Sequence, residues 1–161
     1  MVMGTRESPY RDHEFLPGDP AWEHCLPADP QAVPEARRAA LRALREAGAS
    51  EDECFTLDLA LGEALANAVV HGAPTAPDLR ARPCVCLRLW SYQGQMIIEV
   101  RDQGPGFDPP LPPYPMPADF GATHGRGLPL MEKLTDALLI SRGDARAGGA
   151  ATYLIKKLSD A

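Results

Sequence analysis

The strongest periodic pattern in this chain lies in residues 59–73, where a mostly apolar run carries polar residues at a spacing of four. Glu63, Asn67 and His71 occupy these positions within LALGEALANAVVHGA. Residues four apart lie on one face of a helix, and each step of four turns only about 40° around the axis. The pattern predicts a helix on which an acid, an amide and an imidazole form one ridge. Such a ridge on a mostly buried helix is costly unless a ligand, such as a phosphate-bound metal, occupies that face.

Periodicity and turn residues predict the other elements. The S-x-x-E sequence at Ser50–Glu53 is a capping box that opens the ridged helix. The segment PCVCLRLWSYQGQMIIEVRD alternates about Gln93-Gly94, which predicts a hairpin. The remaining predictions are a strand in WEHCLP, a helix from Pro34 to Ala49, hairpin strands at 84–91 and 96–101, a helix start in GRGLPLMEKLTD, and strands in DALLISRG and ATYLIKKL.

The order of these elements predicts the fold class. The series β, α, α, β, β, loop, α, β, β packs most naturally as an α/β fold of the α+β sandwich kind. We expect a mixed, mainly antiparallel sheet with its helices packed on one face. The length of 161 residues fits a single domain, which we place at residues 21–161 behind a flexible N-terminal leader at residues 1–20.

Charge and composition exclude several functional classes. The net charge of −6 argues against direct nucleic acid binding, because that requires a basic surface. No apolar run approaches the roughly 18 residues that span a bilayer, and the start of the chain has no signal-peptide core. Cys84 and Cys86 share one face of a predicted strand without forming an evident metal clamp. Reduced thiols in a cytoplasmic protein are the favoured interpretation.

The segment DQGPGF, at Asp102–Phe107, directly follows a predicted strand. Gly104 and Gly106 let the backbone approach a ligand closely. A carboxylate only accepts hydrogen bonds, so Asp102 matches the exocyclic amino group of adenine and mismatches the carbonyl oxygen of guanine. Because a mispaired buried polar group costs on the order of 1–3 kcal/mol, Asp102 favours adenine. A plain turn is the alternative, since D-x-G is common in turns.

The segment HGRGL, at His124–Leu128, opens a predicted helix. Free N–H groups at a helix start form an anion site, and Arg126 adds positive charge between Gly125 and Gly127. Helix capping or packing is the alternative. Residues 105–117 contain seven of the seventeen prolines, too many for a regular helix or a central strand. We expect a lid over a phosphate chain at about residues 107–124, with an ordinary surface loop as the alternative.

In combination these motifs resemble the GHKL ATPase superfamily of gyrase, MutL and histidine kinases. The patterns E-x-x-x-N-x-x-x-H, D-x-G-x-G-F and G-x-G-L occur in this order, with a proline-rich segment between the last two. The sequences NAVVHG, VRDQGPGFDP and GRGLPLM are similar to one branch, the anti-sigma-factor serine/threonine kinases of bacterial stress and sporulation control. The resemblance runs from about Trp22 to Lys157 and implies the Bergerat ATP-binding fold, with ATP and Mg²⁺ as cofactors.

The resemblance also implies a role for each matching residue. Asn67 is expected to ligate Mg²⁺ together with the nucleotide phosphates, and Glu63 to act as the catalytic base near the γ-phosphate. Asp102 is expected to bind the adenine amino group, and His71 to have a supporting role at the end of the helix. The other nucleotide-contacting residues belong to the two glycine turns: Gly104 and Gly106 beside adenine, and Gly125, Arg126 and Gly127 beside the phosphates.

Two hypotheses about function follow. In the first, the protein is an anti-sigma factor that transfers the ATP γ-phosphate to a serine or threonine of a STAS-type anti-anti-sigma partner. In the second, it is a non-catalytic nucleotide-binding module that sequesters a sigma factor or another regulator. Glu63 favours the enzyme, because nucleotide binding alone needs Asn67 and Asp102 but no base. A detached histidine-kinase domain is disfavoured, since no dimerisation helix with a phosphoacceptor histidine is visible; homodimerisation is left open.

The sequence departs from the family pattern before the last predicted strand. Members of the family usually have a threonine just after the glycine that begins this strand. Here Gly149 leads into Ala150-Ala151, and Thr152 comes two positions late. We expect either a reduced nucleotide affinity or a contact from Thr152 after a shift in register.

Overall fold

A computed structural model describes residues 16–72, 83–104, 110–119, 121, 125–141 and 149–159. Every helix and strand expected from the sequence is present, and the observed ends lie within a few residues of the expected ones. A short 3₁₀ turn at Pro30–Ala32 precedes the first helix. In chain order the elements are β1 (Trp22–Pro27), α1 (Val33–Glu46), α2 (Glu51–His71), β2 (Cys84–Tyr92), β3 (Gln95–Arg101), α3 (Gly127–Leu134), β4 (Ala137–Ser141) and β5 (Ala151–Lys157).

The five described strands form one sheet in the order β1-β2-β3-β5-β4. Each pairing among them is antiparallel, so the expected mixed, mainly antiparallel sheet is antiparallel throughout its described part. The β2–β3 hairpin turns at Gln93-Gly94, where both residues have positive φ, as a tight two-residue turn requires. β3 pairs with β2 on one side and with β5 on the other, so it is the central strand of the sheet. Asp102 follows directly after its end.

The helices pack on one face of this sheet, as expected, and their apolar side chains form the main core with the inward residues of the strands. In α2, Leu61 and Leu65 are fully buried, whereas Val70 is exposed. The largest fully buried side chains of this main core are Leu44, Leu57, Leu61, Leu65, Leu87, Leu89, Met96, Ile98, Met131 and Leu154. Within the described residues, no helix is both long and apolar enough to cross a membrane.

The capping box at the start of α2 is present and extends further than the sequence showed. Ser50 and Glu53 exchange hydrogen bonds between side chain and backbone. The buried Glu53 carboxylate also accepts the Ser159 N–H at 2.6 Å and the Ser159 hydroxyl at 2.7 Å. These donors lower the pKa of Glu53 to about 2, and the Ser159 N–H has the largest effect. Glu53 therefore ties the end of the chain after β5 to the first turn of α2.

The opposite face of the sheet carries a charged network and a small apolar cluster. The carboxylate of Glu99 is buried between Arg88 and Arg101, which lie 3.2 and 3.3 Å from its oxygens. Beside it, the Trp90 indole N–H donates to the Gly18 carbonyl at 2.9 Å, and Leu16 packs on the cluster. The end of the expected leader thus contacts the sheet; residues 1–15 lie outside the described part.

Two of the four cysteines form a disulfide, so the expectation of reduced thiols is wrong for this pair. Cys25 and Cys86 lie directly opposite each other in the β1–β2 pairing, with Cα atoms 4.1 Å apart. Cys54 and Cys84 are free thiols. The bond joins residues 61 positions apart, and only the strand register brings them together, which is why sequence spacing did not indicate it.

Candidate functional site

A cavity of about 550 Å³ lies where α2, the end of β3, the start of β5 and α3 meet. The ridge of α2 supplies Asn67 and His71 to its wall, and the strand ends supply Val100, Asp102 and Thr152. Most of the other lining residues are small or apolar. The complete set of these others is Ala64, Ala68, Pro110, Tyr114, Pro115, Gly125, Gly127, Leu128, Pro129 and Ala150. The structure therefore brings residues from all three sequence motifs to a single cavity.

Asp102 is held by backbone groups on both sides. Its Oδ1 accepts the Gly104 N–H and the Ala150 N–H, each at 2.9 Å. Its own N–H donates to the Ala150 carbonyl at 3.0 Å. No hydrogen bond from the described residues reaches Oδ2. One carboxylate oxygen is thus fixed by the fold, while the other has no donor among the described residues.

Three glycines surround Asp102 so closely that no side chain fits at their positions. A Cβ at Gly149, whose φ is +81°, would overlap the Asp102 carbonyl, and a Cβ at Gly72 would overlap the Asp102 side chain. A Cβ at Gly104 would lie 2.8 Å from the Gly72 Cα. Sequence reasoning named Gly104 but missed Gly72 and Gly149. The close packing leaves Asp102 with little freedom to change its orientation.

The other end of the cavity lies at the start of α3. Gly127 is the first residue of this helix, and a Cβ on it would lie 3.3 Å from the Glu63 Oε2 and 3.4 Å from the Asn67 amide nitrogen. Gly125 has a φ of +79°, which turns the chain into the helix. Free N–H groups at a helix start bind anions. The Glu63–Asn67 part of the ridge therefore faces a potential phosphate site.

The remaining expected site residues, Arg126, His71 and Gly106, differ in their relation to the cavity. Arg126 is exposed, and its guanidinium donates to the Asp119 carbonyl at 3.5 Å, whereas its neighbours Gly125 and Gly127 line the cavity. His71 lines the cavity while Gly72 closes the helix backbone. Gly106 lies outside the described residues.

Residues 110–119 cross the cavity without forming a helix or strand. Tyr114 is fixed to α3, because its N–H donates to the Glu132 carboxylate at 2.8 Å. Burial, followed by the nearby Glu132 charge, raises the pKa of the Tyr114 phenol. Sequence reasoning named this segment a lid but did not identify Tyr114. Its action as a lid stays a prediction.

Asp102 keeps backbone hydrogen bonds at the start of β5, although Ala150 and Ala151 occupy the place of the expected threonine. Ala150 supplies one backbone donor and one backbone acceptor to Asp102, so this position orients the carboxylate without a hydroxyl. Thr152 pairs with Val100 in the sheet, and both residues line the cavity. A threonine therefore lines the same cavity as Asp102, two positions later than in the family pattern.

The donor set near Gly127 fits Mg²⁺. This cation prefers oxygen ligands, keeps several waters, and is held by one or two protein groups together with phosphates. The Asn67 amide oxygen supplies one such group, and the nearby Glu63 carboxylate adds negative charge beside Gly127. Among the described residues, no group of three or more His, Cys, Asp or Glu side chains forms a metal cluster.

Comparisons with known proteins agree with this geometry. Residues 26–156 match the family described as the histidine kinase-like ATPase domain. The crystal structure of the RsbU and RsbW domains of Rv1364c from Mycobacterium tuberculosis is similar, with a TM-score of 0.60 and 25% identity over 85% of this chain. This match spans 31% of that larger protein chain. Among curated proteins, none matches significantly.

A second similar structure is the histidine kinase domain of the blue-light activated histidine kinase from Erythrobacter litoralis EL346. Its TM-score is 0.46 and its identity 21%, over 83% of this chain and 62% of that one. The family match covers most of the present sequence and includes α2, Asp102 and α3. The chain therefore belongs to the histidine kinase-like ATPase domain family, within the GHKL superfamily that its motifs resemble.

Proposed function

We propose that this ATP-binding, kinase-like domain is a serine/threonine protein kinase and anti-sigma factor. Its substrate would be a serine or threonine hydroxyl of a STAS-type anti-anti-sigma protein, and it would also bind a sigma factor in the cytoplasm. The observation that carries the nucleotide part is the cavity. At one end it has Asp102, whose second carboxylate oxygen has no donor among the described residues, and at the other it has the start of α3. The similarity to a structure that contains an RsbW domain supports the regulatory part.

Recognition of adenine would rest on Asp102. Oδ1 is occupied by the Gly104 and Ala150 N–H groups, so Oδ2 would accept the exocyclic amino group of the base. Guanine would place a carbonyl oxygen against this acceptor, which costs affinity because neither group donates a hydrogen. Val100 and Leu128 supply apolar surface for the flat faces of the base.

The phosphates would lie between α2 and the start of α3. The backbone N–H groups at Gly127 would donate to phosphate oxygens, and Asn67 would hold Mg²⁺ through its amide oxygen. When bound, the cation offsets the negative charge that the phosphates bring close to the Glu63 carboxylate. Gly125 and Gly127 allow the close approach that a side chain would prevent.

The transfer step would use Glu63 as the base. The substrate hydroxyl gives its proton to the Glu63 carboxylate as its oxygen forms a bond to the γ-phosphorus. The bond between the γ-phosphorus and the β–γ bridging oxygen breaks, and ADP leaves with the electron pair. Glu63 is partly buried beside Gly127, which suits a base that must reach the γ-phosphate.

The proposal is tested by mixing the protein and Mg²⁺-ATP with a purified STAS-domain anti-anti-sigma protein. With label in the γ-phosphate, we expect label on the STAS protein, lost when its acceptor serine or threonine is replaced by alanine. With label in the α-phosphate, the STAS protein should stay unlabelled. Binding of ATP without any transfer, together with capture of a sigma factor, would instead support the non-catalytic module.

A further inference from the structure

Tyr114 gives the cavity an aromatic wall that neither the motifs nor the proposed mechanism uses. It lines the same cavity as Asp102 and Asn67. Its side chain is partly buried, whereas its neighbours Pro113 and Pro115 are exposed. Among the lining residues in the described ranges, it is the one with a phenyl ring. A partly buried ring in a mostly exposed segment indicates that the segment is directed toward the cavity at this residue.

Glu132 explains how this ring is kept in place. It lies one helical turn after Leu128, which lines the cavity, so both residues share one face of α3. Its Oε2 accepts the backbone N–H of Tyr114 at 2.8 Å. Because the bond goes to the backbone, Glu132 determines where the segment passes α3, whichever side chain residue 114 carries.

We propose that Tyr114 is a nucleotide-contacting residue whose ring packs on the purine base, and that Glu132 is the positioning residue that holds it there. The inference rests on the proposed binding of ATP. A purine is flat and aromatic, and the neighbouring walls at Val100 and Leu128 are apolar. Stacking of an aromatic ring favours every base. Tyr114 therefore contributes affinity, while Asp102 contributes the choice of adenine.

The ring is tested by calorimetry with three probes: Mg²⁺-ATP, Mg²⁺-ADP and inorganic tripolyphosphate, which lacks a base. Tyr114→Ala should weaken both nucleotides by about fivefold or more and leave tripolyphosphate unchanged. Tyr114→Phe keeps the ring and should bind within about twofold of the wild type. Tyr114→Leu keeps apolar bulk without the ring and should be weakened. Leu111→Ala, at an exposed site in the same segment, is the matched control and should bind normally.

The positioning role is tested at Glu132. Glu132→Ala should weaken ADP by raising its dissociation rate, whereas Glu132→Gln keeps an acceptor oxygen and should restore binding. Lys133→Ala, at an exposed neighbour on α3, is the control. If Glu132 acts through the ring, the double variant Tyr114→Ala/Glu132→Ala should be no weaker than Tyr114→Ala alone.

Separate outcomes identify which idea fails. A wild-type protein that binds no adenine nucleotide overturns the proposed function itself. Normal ADP binding by folded Tyr114→Ala and Tyr114→Leu overturns the contact with the base while leaving the proposed function intact. Losses at Tyr114 and Glu132 that simply add in the double variant overturn the positioning role of Glu132.

Discussion

The two ends of the cavity are built in different ways. At the base end, Asp102 is fixed by backbone hydrogen bonds from Gly104 and Ala150 and enclosed by glycines that admit no side chain. At the phosphate end, Glu63 and Asn67 reach toward Gly127 as side chains. A rigid end suits the choice of a base, which does not change during a reaction. A more adjustable end suits phosphates, which are transferred and released.

The largest effect is expected at the phosphate end. Glu63→Ala should lower phosphotransfer by roughly 10²–10⁴-fold, the usual contribution of a positioned base, while Mg²⁺-ATP still binds. Single-turnover transfer and calorimetry measure the two properties. Asp52→Ala removes an exposed acid from the same helix and should change neither. Wild-type transfer by Glu63→Ala would mean that Glu63 is not the base.

At the base end, a methyl group should be enough to break the site. Gly149→Ala forces a Cβ into the Asp102 carbonyl at a positive φ, so we expect a loss of about 3 kcal/mol in the free energy of unfolding. ADP affinity should fall as well. Gly94→Ala has a similar φ of +71° but open space around it, and should cost only about 1–2 kcal/mol. Equal effects in chemical denaturation would contradict close packing around Asp102.

A smaller effect is expected on the choice between adenine and guanine nucleotides at the base end. Asp102→Asn keeps an oxygen for the Gly104 and Ala150 N–H groups but presents an amide donor in place of Oδ2. ADP affinity should therefore fall by about 5- to 150-fold, while GDP affinity relative to ADP rises. Thermal unfolding should be nearly unchanged. A folded variant with unchanged ADP affinity would remove Asp102 from the site.

The smallest effect is expected at Glu53, in the first turn of α2. The pKa of Glu53 is lowered from 4.5 to about 2, so its charged form is favoured in the folded state. Its contribution should be complete above pH 4.5 and lost as the pH falls toward 2. Glu53→Gln should lower the free energy of unfolding at neutral pH by about 1 kcal/mol and flatten this acid dependence. An identical pH profile in the variant would assign the acid sensitivity to another group.

Local sequence signals were sufficient for most of the fold. The capping box at Ser50–Glu53 and the Gln93-Gly94 turn depend on neighbouring residues, and both are present in the structure. Contacts between distant segments were not predictable in this way. The disulfide of Cys25 with Cys86 depends on strand register, and the bond from Ser159 to Glu53 joins residues 106 positions apart. The two cysteines were consequently assigned the wrong chemical state.

By itself, the sequence was sufficient to select the candidate site residues: the ridge of Glu63 and Asn67, the carboxylate of Asp102, and the glycines at the start of α3. Spacing on a helix and the order of the motifs were enough, because these features are local. Only the tertiary structure decided how they are held. Gly72 and Gly149 enclose Asp102, and Tyr114 bonds to Glu132. These contacts join segments that are distant in the sequence, so periodicity within one segment does not predict them.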